Sequence, residues 1–95
     1  MKHATPAALD QIEPFLGQIR AAAPELTEKK QGTFYLRSKA FLHFHEDPAG
    51  FFADLRLEAG GPFERFRVST KAEQAALVRS VKSALDAQSP RASRT

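Results

Sequence analysis

Cysteine is absent from this sequence of 95 residues. Without it the chain cannot form disulfide bonds, thiolate metal sites or cysteine nucleophiles, and the absence fits a reducing compartment. The N-terminal stretch lacks the apolar segment of a signal peptide, and no apolar run approaches the roughly 20 residues that span a bilayer. We therefore expect a cytoplasmic protein with no membrane association.

Tryptophan is absent as well, whereas phenylalanine occurs eight times, so the core is expected to consist largely of Phe, Leu and Val. A chain of this length is sufficient for one domain and too short for two. Residues 87–95 are rich in Ser, Pro and Arg, a composition typical of disorder. We assign residues 1–86 to a single α+β domain and residues 87–95 to a disordered basic tail.

The charge of the chain is unevenly distributed. Its net charge is +3 and its isoelectric point is about 9.6, but two of the basic residues, Arg91 and Arg94, lie in the predicted tail, which contains no acid. The rest of the chain is close to neutral. Its overall basicity therefore supports nucleic-acid binding only weakly.

A helix is predicted near each end of the chain. Thr5 followed by Pro6 is typical of a helix start, because the hydroxyl caps a free amide and proline fits the first helical position. Pro14 interrupts the apolar pattern that follows, so either this helix is kinked or a second helix begins with Glu13-Pro14. Near the other end, Thr70 with Glu73 three residues later matches the capping box.

Between the helices the hydrophobic pattern changes to a period of two, which predicts strands. The predicted strands cover residues 33–37, 40–46, 51–57 and 63–69. The loops between them are short, which favours an antiparallel meander, and residues 25–31 are interpreted as a charged connection. The predicted fold class is α+β: an N-terminal helix, a four-stranded antiparallel meander and a C-terminal helix, with the helices packed on one sheet face.

Burial decides how the strands are aligned. Phe44 is paired with Ala53, because a shift of one residue would place Phe44 opposite Asp54 on a buried face. The same reasoning across the next loop pairs Leu55 with Phe66. The face under the helices is then predicted to contain Leu42, Phe44, Ala53, Leu55, Phe66 and Val68.

The opposite sheet face is predicted to combine polar and aromatic side chains. In this alignment His43 faces Asp54, and Arg67 lies on the other side of Asp54, so a His–Asp–Arg row crosses three strands. The full set on this face is Phe41, His43, His45, Phe52, Asp54, Arg56, Arg65 and Arg67.

We interpret this face as the binding surface of a small non-enzymatic protein. Guanidinium groups bind anions and aromatic rings accept stacked bases, so the expected partner is an anionic ligand or a macromolecule, nucleic acid included. No catalytic residue, metal site or cofactor is assigned in this interpretation. The candidate ligand-binding residues are His43, His45, Asp54, Arg56, Arg65 and Arg67.

Two alternatives use the same face. His43 and His45 lie on one side of a strand about 6–7 Å apart, which suits a shared metal ion, and a nearby carboxylate orients an imidazole and raises its pKa. The first alternative is therefore a metal-dependent or acid–base enzyme centred on His43, His45 and Asp54. The second is a structural homodimer that buries Phe41 and Phe52 between subunits.

The order of elements and the segments 32–35, 40–44 and 66–69, and in particular the stretch 41–50, resemble small bacterial proteins of uncharacterised function. The general plan is similar to that of the YjbR/MmcQ-like group, whose fold is related to that of the frataxin homologue CyaY. The resemblance covers about residues 5–86 and implies the same α+β architecture, with no catalytic residues to transfer. Where that group has a lysine before a turn, this chain has Glu46 and Asp47.

Overall fold

Three helices and six strands make up the protein in a computed structural model that describes residues 2–89. The elements follow one another as β1 (Lys2–His3), α1 (Pro6–Gln11), α2 (Glu13–Ala22), β2 (Thr27–Lys30), β3 (Thr33–Leu36), β4 (Lys39–Asp47), β5 (Gly50–Arg56), β6 (Phe63–Arg67) and α3 (Lys71–Gln88). The α+β class is confirmed.

The strands form one antiparallel sheet in the order β2-β3-β4-β5-β6, and β1 pairs with β4. β5 pairs with β4 along residues 42–47 of β4 and so covers one of its two edges. β3 pairs with the first part of β4, up to Leu42, and β1 pairs with His45 and Glu46. β1 and β3 therefore lie end to end along the other edge of β4, with a notch between them.

The helices cover one face of the sheet, which we call the inner face; the opposite face is the outer face. The predicted inner face is confirmed by its burial, since Leu42, Phe44, Ala53, Leu55 and Val68 are all buried and Phe66 is partly buried against them. From the helices, the most deeply buried side chains are Leu16, Ile19, Leu77 and Val81.

The N-terminal helical segment is two helices, one of the two arrangements that Pro14 left open. Pro14 is the second residue of α2, where its missing N–H removes no hydrogen bond, so the second of the two alternatives is correct. The helix starts are as expected. Thr5 Oγ1 accepts a hydrogen bond from the Ala8 amide at 3.2 Å, and Thr70 and Glu73 form the predicted capping box.

The sheet contains the four predicted strands and two more, so the prediction of a four-stranded meander is wrong. β2 lies within the segment interpreted as a charged connection, and its sequence, Thr-Glu-Lys-Lys, has no apolar alternation. β1 is only two residues long. Neither strand has a hydrophobic pattern to mark it, because both are edge strands held by backbone pairing rather than by a buried side.

The pairing of β4 with β5 agrees with the prediction, since Phe44 lies opposite Ala53 and His43 opposite Asp54. The pairing of β5 with β6 differs by two residues: Phe66 lies opposite Ala53, not Leu55. The loop between β5 and β6 is longer than predicted, because it contains a turn in which the Gly61 amide donates a hydrogen bond to the Glu58 carbonyl. A shift of two residues keeps each side chain on its predicted face.

The prediction that Phe41 lies on the outer face is wrong. Phe41 lies in the core, where it is 1% exposed. Phe34 pairs with Leu42 and Tyr35 with Ala40, so Phe41 has no partner on β3. This extra residue is a β-bulge, which breaks the alternation of side chains between the two faces. Phe41 can therefore join Leu42 in the core.

The C-terminal helix α3 continues to Gln88, so the first two residues of the predicted tail are helical. The rest of that predicted tail, from residue 90 onward, lies outside the described residues. Within residues 2–89, no helix is both long and apolar enough to cross a membrane.

Arg20 joins α2 to the edge strand β2. Its guanidinium donates hydrogen bonds to Glu28 and to Glu13, and Glu28 Oε2 also accepts from the Gly32 amide at 2.8 Å. Hydrogen bonds from Arg20 lower the pKa of Glu13 to about 2 and hold the pKa of Glu28 below its ordinary value. These contacts explain how a strand with no apolar side is held in place.

We expect this cluster to make the fold acid-sensitive. Both glutamates have a lower pKa in the folded state than in the unfolded state. Their contribution to the free energy of unfolding is therefore present above about pH 4.5 and is lost as the pH falls towards 2. The melting temperature followed by circular dichroism should drop over this range, and Arg20→Met should reduce the drop. Arg79→Met, at an exposed position on α3, is the control. Equal slopes in wild type and Arg20→Met would contradict this account.

Candidate metal centre on the outer face

All three histidines of the chain meet on the outer face. His3 on β1 lies directly across from His45 on β4, and His43 precedes His45 by two residues on the same strand. The ring centroids are 4.7 Å apart for His3 and His45, 5.1 Å for His43 and His45, and 5.8 Å for His3 and His43. We call these three residues the histidine cluster.

One nitrogen from each ring of the histidine cluster lies within 4.8 Å of the other two. Three rings at this spacing can bind one ion after small rotations, because imidazole nitrogens coordinate transition metals at about 2.0–2.1 Å. Among residues 2–89, no other group of three His, Asp or Glu side chains brings its ligand atoms this close together.

His45 is the buried member of the cluster, with 7% of the residue exposed. Neither of its ring nitrogens has a hydrogen-bond partner among the described residues, and the same holds for Nδ1 of His43. His45 Nε2 nevertheless lies 2.9 Å from Asp54 Oδ2, so Nδ1 is the nitrogen left for a further ligand. A buried polar group without a partner costs about 1–3 kcal/mol, so this ring is well suited to an additional ligand.

Asp54 lies beside the histidine cluster and is held by Arg65. Its two carboxylate oxygens accept hydrogen bonds from Nε and Nη2 of Arg65, both at 2.8 Å. These bonds are the main reason that the pKa of Asp54 is below its usual range, and the neighbouring His45 adds to the effect. Asp54 is therefore a fixed carboxylate, of the kind that orients metal-ligating histidines in proteins.

The pKa of His43 lies below its ordinary value. Burial is the main cause that lowers its pKa, and the neighbouring His45, His3 and Arg65 act in the same direction, while Asp54 opposes them. A neutral imidazole keeps the lone pair that a metal ion needs. The edge of the His43 ring also packs on Phe63, with 4.7 Å between centroids.

The predicted His–Asp–Arg row exists, but with a different arginine. Arg65, not Arg67, lies opposite Asp54, because β6 is shifted by two residues from the predicted alignment. Arg67 lies opposite Phe52, and its Nε is 3.5 Å from a carboxylate oxygen of Glu73.

Arg56 is also occupied by the protein. Its Nε donates a hydrogen bond to the carbonyl of Ala40 at 2.9 Å, and Nη1 donates to the carbonyl of Gly61. Its guanidinium lies 4.3 Å from the centroid of the Phe63 ring. Each of the three arginines predicted to bind an anion therefore has a partner within the chain, which weakens the interpretation of the whole face as an anion-binding surface.

The two phenylalanines predicted to form a dimer interface are separated. Phe41 is buried in the core of its own chain and is not accessible to a second subunit, so that part of the prediction is wrong. Phe52 is half-buried on the outer face, between His45 and Arg67.

The notch between β1 and β3 opens beside the histidine cluster. A cavity of about 190 Å³ lies there, and the side chains that line it include His3, His43, Lys30 and Thr33. A second concavity, of about 250 Å³, shares these four side chains. His45 lines neither of them, so the cluster has one buried ring and two rings that face the notch.

The chain matches no protein-family model, no curated protein and no solved structure. The resemblance to the YjbR/MmcQ-like group therefore stays a prediction.

The sequence pattern pointed to His43, His45 and Asp54 but not to His3. One clue to His3 was available in the sequence. The chain has three histidines, and two of them were already predicted to share one sheet face, so the third was a candidate to join them. Its position depends on the pairing of β1 with β4 about 40 residues away in sequence, and a two-residue strand has too few side chains to show a period.

Proposed function

We propose that this protein is a small non-enzymatic binding protein whose ligand is a divalent first-row transition-metal ion, with Zn²⁺ as the reference ion. The observation that carries this proposal is the convergence of His3, His43 and His45, with one nitrogen of each ring within 4.8 Å of the others.

The distances require only a small adjustment. Nitrogen ligands at about 2.1 Å from a tetrahedral ion are about 3.4 Å from one another, so a separation of up to 4.8 Å must close by up to about 1.4 Å. His45 is buried and His43 lies in the middle of the sheet, whereas His3 is exposed on a strand of two residues. His3 is therefore the ligand that moves.

The donor set selects the class of ion. Imidazole nitrogens suit Zn²⁺, Co²⁺, Ni²⁺ and Cu²⁺, whereas Mg²⁺ and Ca²⁺ prefer oxygen ligands. Asp54 supports the site because its Oδ2 lies 2.9 Å from Nε2 of His45, close enough to orient that ring. Because both oxygens of Asp54 are bound by Arg65, this carboxylate is poorly placed to act as a general base, which favours binding over catalysis.

Zn²⁺ should stabilise the untagged, chelator-treated protein. An ion that binds only the folded state contributes about 2.7 kcal/mol at a concentration of 100 times its Kd, which for a chain of this size raises Tm by roughly 10–20 °C. Calorimetric titration should give one ion per chain, and Mg²⁺ should have no effect on either measurement.

Variants identify the ligands. His3→Ala should leave the Tm of the metal-free protein close to that of wild type, since His3 is exposed, but should weaken Zn²⁺ binding by at least about tenfold. Lys2→Ala changes the neighbouring exposed residue of the same strand and should leave Zn²⁺ affinity unchanged. If Zn²⁺ did not bind, or bound equally to His3→Ala and wild type, the proposal would be wrong.

A further inference from the structure

The histidine cluster supplies three ligands, and a tetrahedral ion takes four. His45 occupies the buried side of the cluster, while His3 and His43 border the notch cavity. The position left for a fourth ligand therefore lies on the side of this cavity. Three protein ligands with an open fourth position are typical of sites that exchange a small molecule rather than of closed structural sites.

The charges around the cluster favour an anion in that position. Three neutral imidazoles leave the double charge of the ion uncompensated, and the nearest carboxylate, Asp54, is already paired with Arg65. Lys30 adds a further positive charge on the wall of the cavity. A bound divalent ion is the largest local charge in such a site, so an anionic fourth ligand is attracted by both the ion and Lys30.

The rest of the cavity limits the size and character of this ligand. A volume of about 190 Å³ has room for several water molecules and so for a small organic ligand. The apolar residues that line the cavity are Ala4, Pro6, Leu9 and Phe44. The cavity thus suits a short hydrocarbon chain attached to one negatively charged group.

We propose that the metal centre binds a small aliphatic monocarboxylate, with a carboxylate oxygen as the fourth ligand of the ion. The hydrocarbon chain lies against Pro6 and Leu9, and Lys30 attracts the carboxylate. This inference rests on the proposed metal binding and specifies the ligand that the loaded site takes.

The Co²⁺-loaded protein provides the test, because the visible absorption of Co²⁺ responds to a change of ligand. Titration with acetate, propionate and butyrate should give a saturable spectral change. Affinity should increase roughly fourfold for each added methylene until the cavity is filled, as expected for burial of that group. Butylamine, which has a similar length and the opposite charge, should give no change.

Two lysines on the same strand serve as a matched pair. Lys30→Met should weaken butyrate binding several-fold without changing the affinity for Co²⁺. Lys29→Met should change neither, because Lys29 lies over the ring of Tyr35, 4.4 Å from its centroid, and does not line the cavity. Equal effects of the two substitutions on butyrate affinity would contradict the assigned position.

The outcomes separate the two proposals. Tight Co²⁺ binding with no spectral response to carboxylates, or with equal affinities for acetate and butyrate, would overturn this inference and leave the proposed metal binding intact. Failure of Co²⁺ to bind at all would overturn both.

Discussion

Phe41→Ala is expected to lower the free energy of unfolding by about 3–5 kcal/mol, the usual cost of removing a buried aromatic ring from a core. Phe41 is 1% exposed and belongs to the hydrophobic cluster between sheet and helices. Phe52→Ala is the matched control, because Phe52 is half-buried on the outer face and its loss should cost clearly less.

Urea denaturation of the two variants measures this difference. Folded domains are stable by only about 5–15 kcal/mol, so Phe41→Leu should be included as a milder change that keeps most of the side-chain volume. It should fall between wild type and Phe41→Ala. Similar losses for Phe41→Ala and Phe52→Ala would mean that the β-bulge does not turn Phe41 into the core.

Gly50→Ala should have the second-largest effect, a loss of about 2–4 kcal/mol, because it adds backbone strain and removes a hydrogen bond. The residue has φ of 134°, and a Cβ there would lie 2.2 Å from Oγ of Ser69. That hydroxyl accepts a hydrogen bond from the Phe51 amide at 2.9 Å. The added methyl group must therefore displace Ser69 from the start of β5.

Gly60→Ala separates the two causes of this loss. Gly60 also has a positive φ, of 74°, but a Cβ there would meet no atom within 4 Å, so only the backbone strain remains. Its cost in chemical denaturation should be clearly smaller, about 1–2 kcal/mol. In the double variant Gly50→Ala/Ser69→Ala, part of the loss should be recovered. A cost at Gly50 no greater than that at Gly60 would argue against the steric clash.

The central strands could be predicted from sequence because burial constrains two things: the face on which each side chain lies and the residue it pairs with on the next strand. Alternation assigned residues to faces, and the need to keep Asp54 away from Phe44 then selected a single alignment of β4 with β5. The alignment of β5 with β6 was less constrained. A shift of two residues exchanges one apolar pair for another, so the prediction chose Leu55 as the partner of Phe66 where the structure has Ala53.

The parts that were missed depend on interactions that leave no hydrophobic pattern. β2 is entirely polar and is attached through Arg20 and Glu28. The bulge at Phe41 is a property of how β3 and β4 pair, not of either strand alone. For the candidate site, two of its three histidines followed from the H-x-H pattern, while His3 required knowledge of long-range pairing.

The N-terminal strand lets the histidine cluster link two segments of the folded chain that are far apart in sequence. An ion bound to His3, His43 and His45 closes a loop of about 40 residues that contains α1, α2, β2 and β3. Because the ion binds only the folded chain, it holds this loop closed in the native state and is released when the chain unfolds. In a chain without cysteine, coordination of a metal ion would act as a reversible cross-link between the N-terminus and the centre of the sheet.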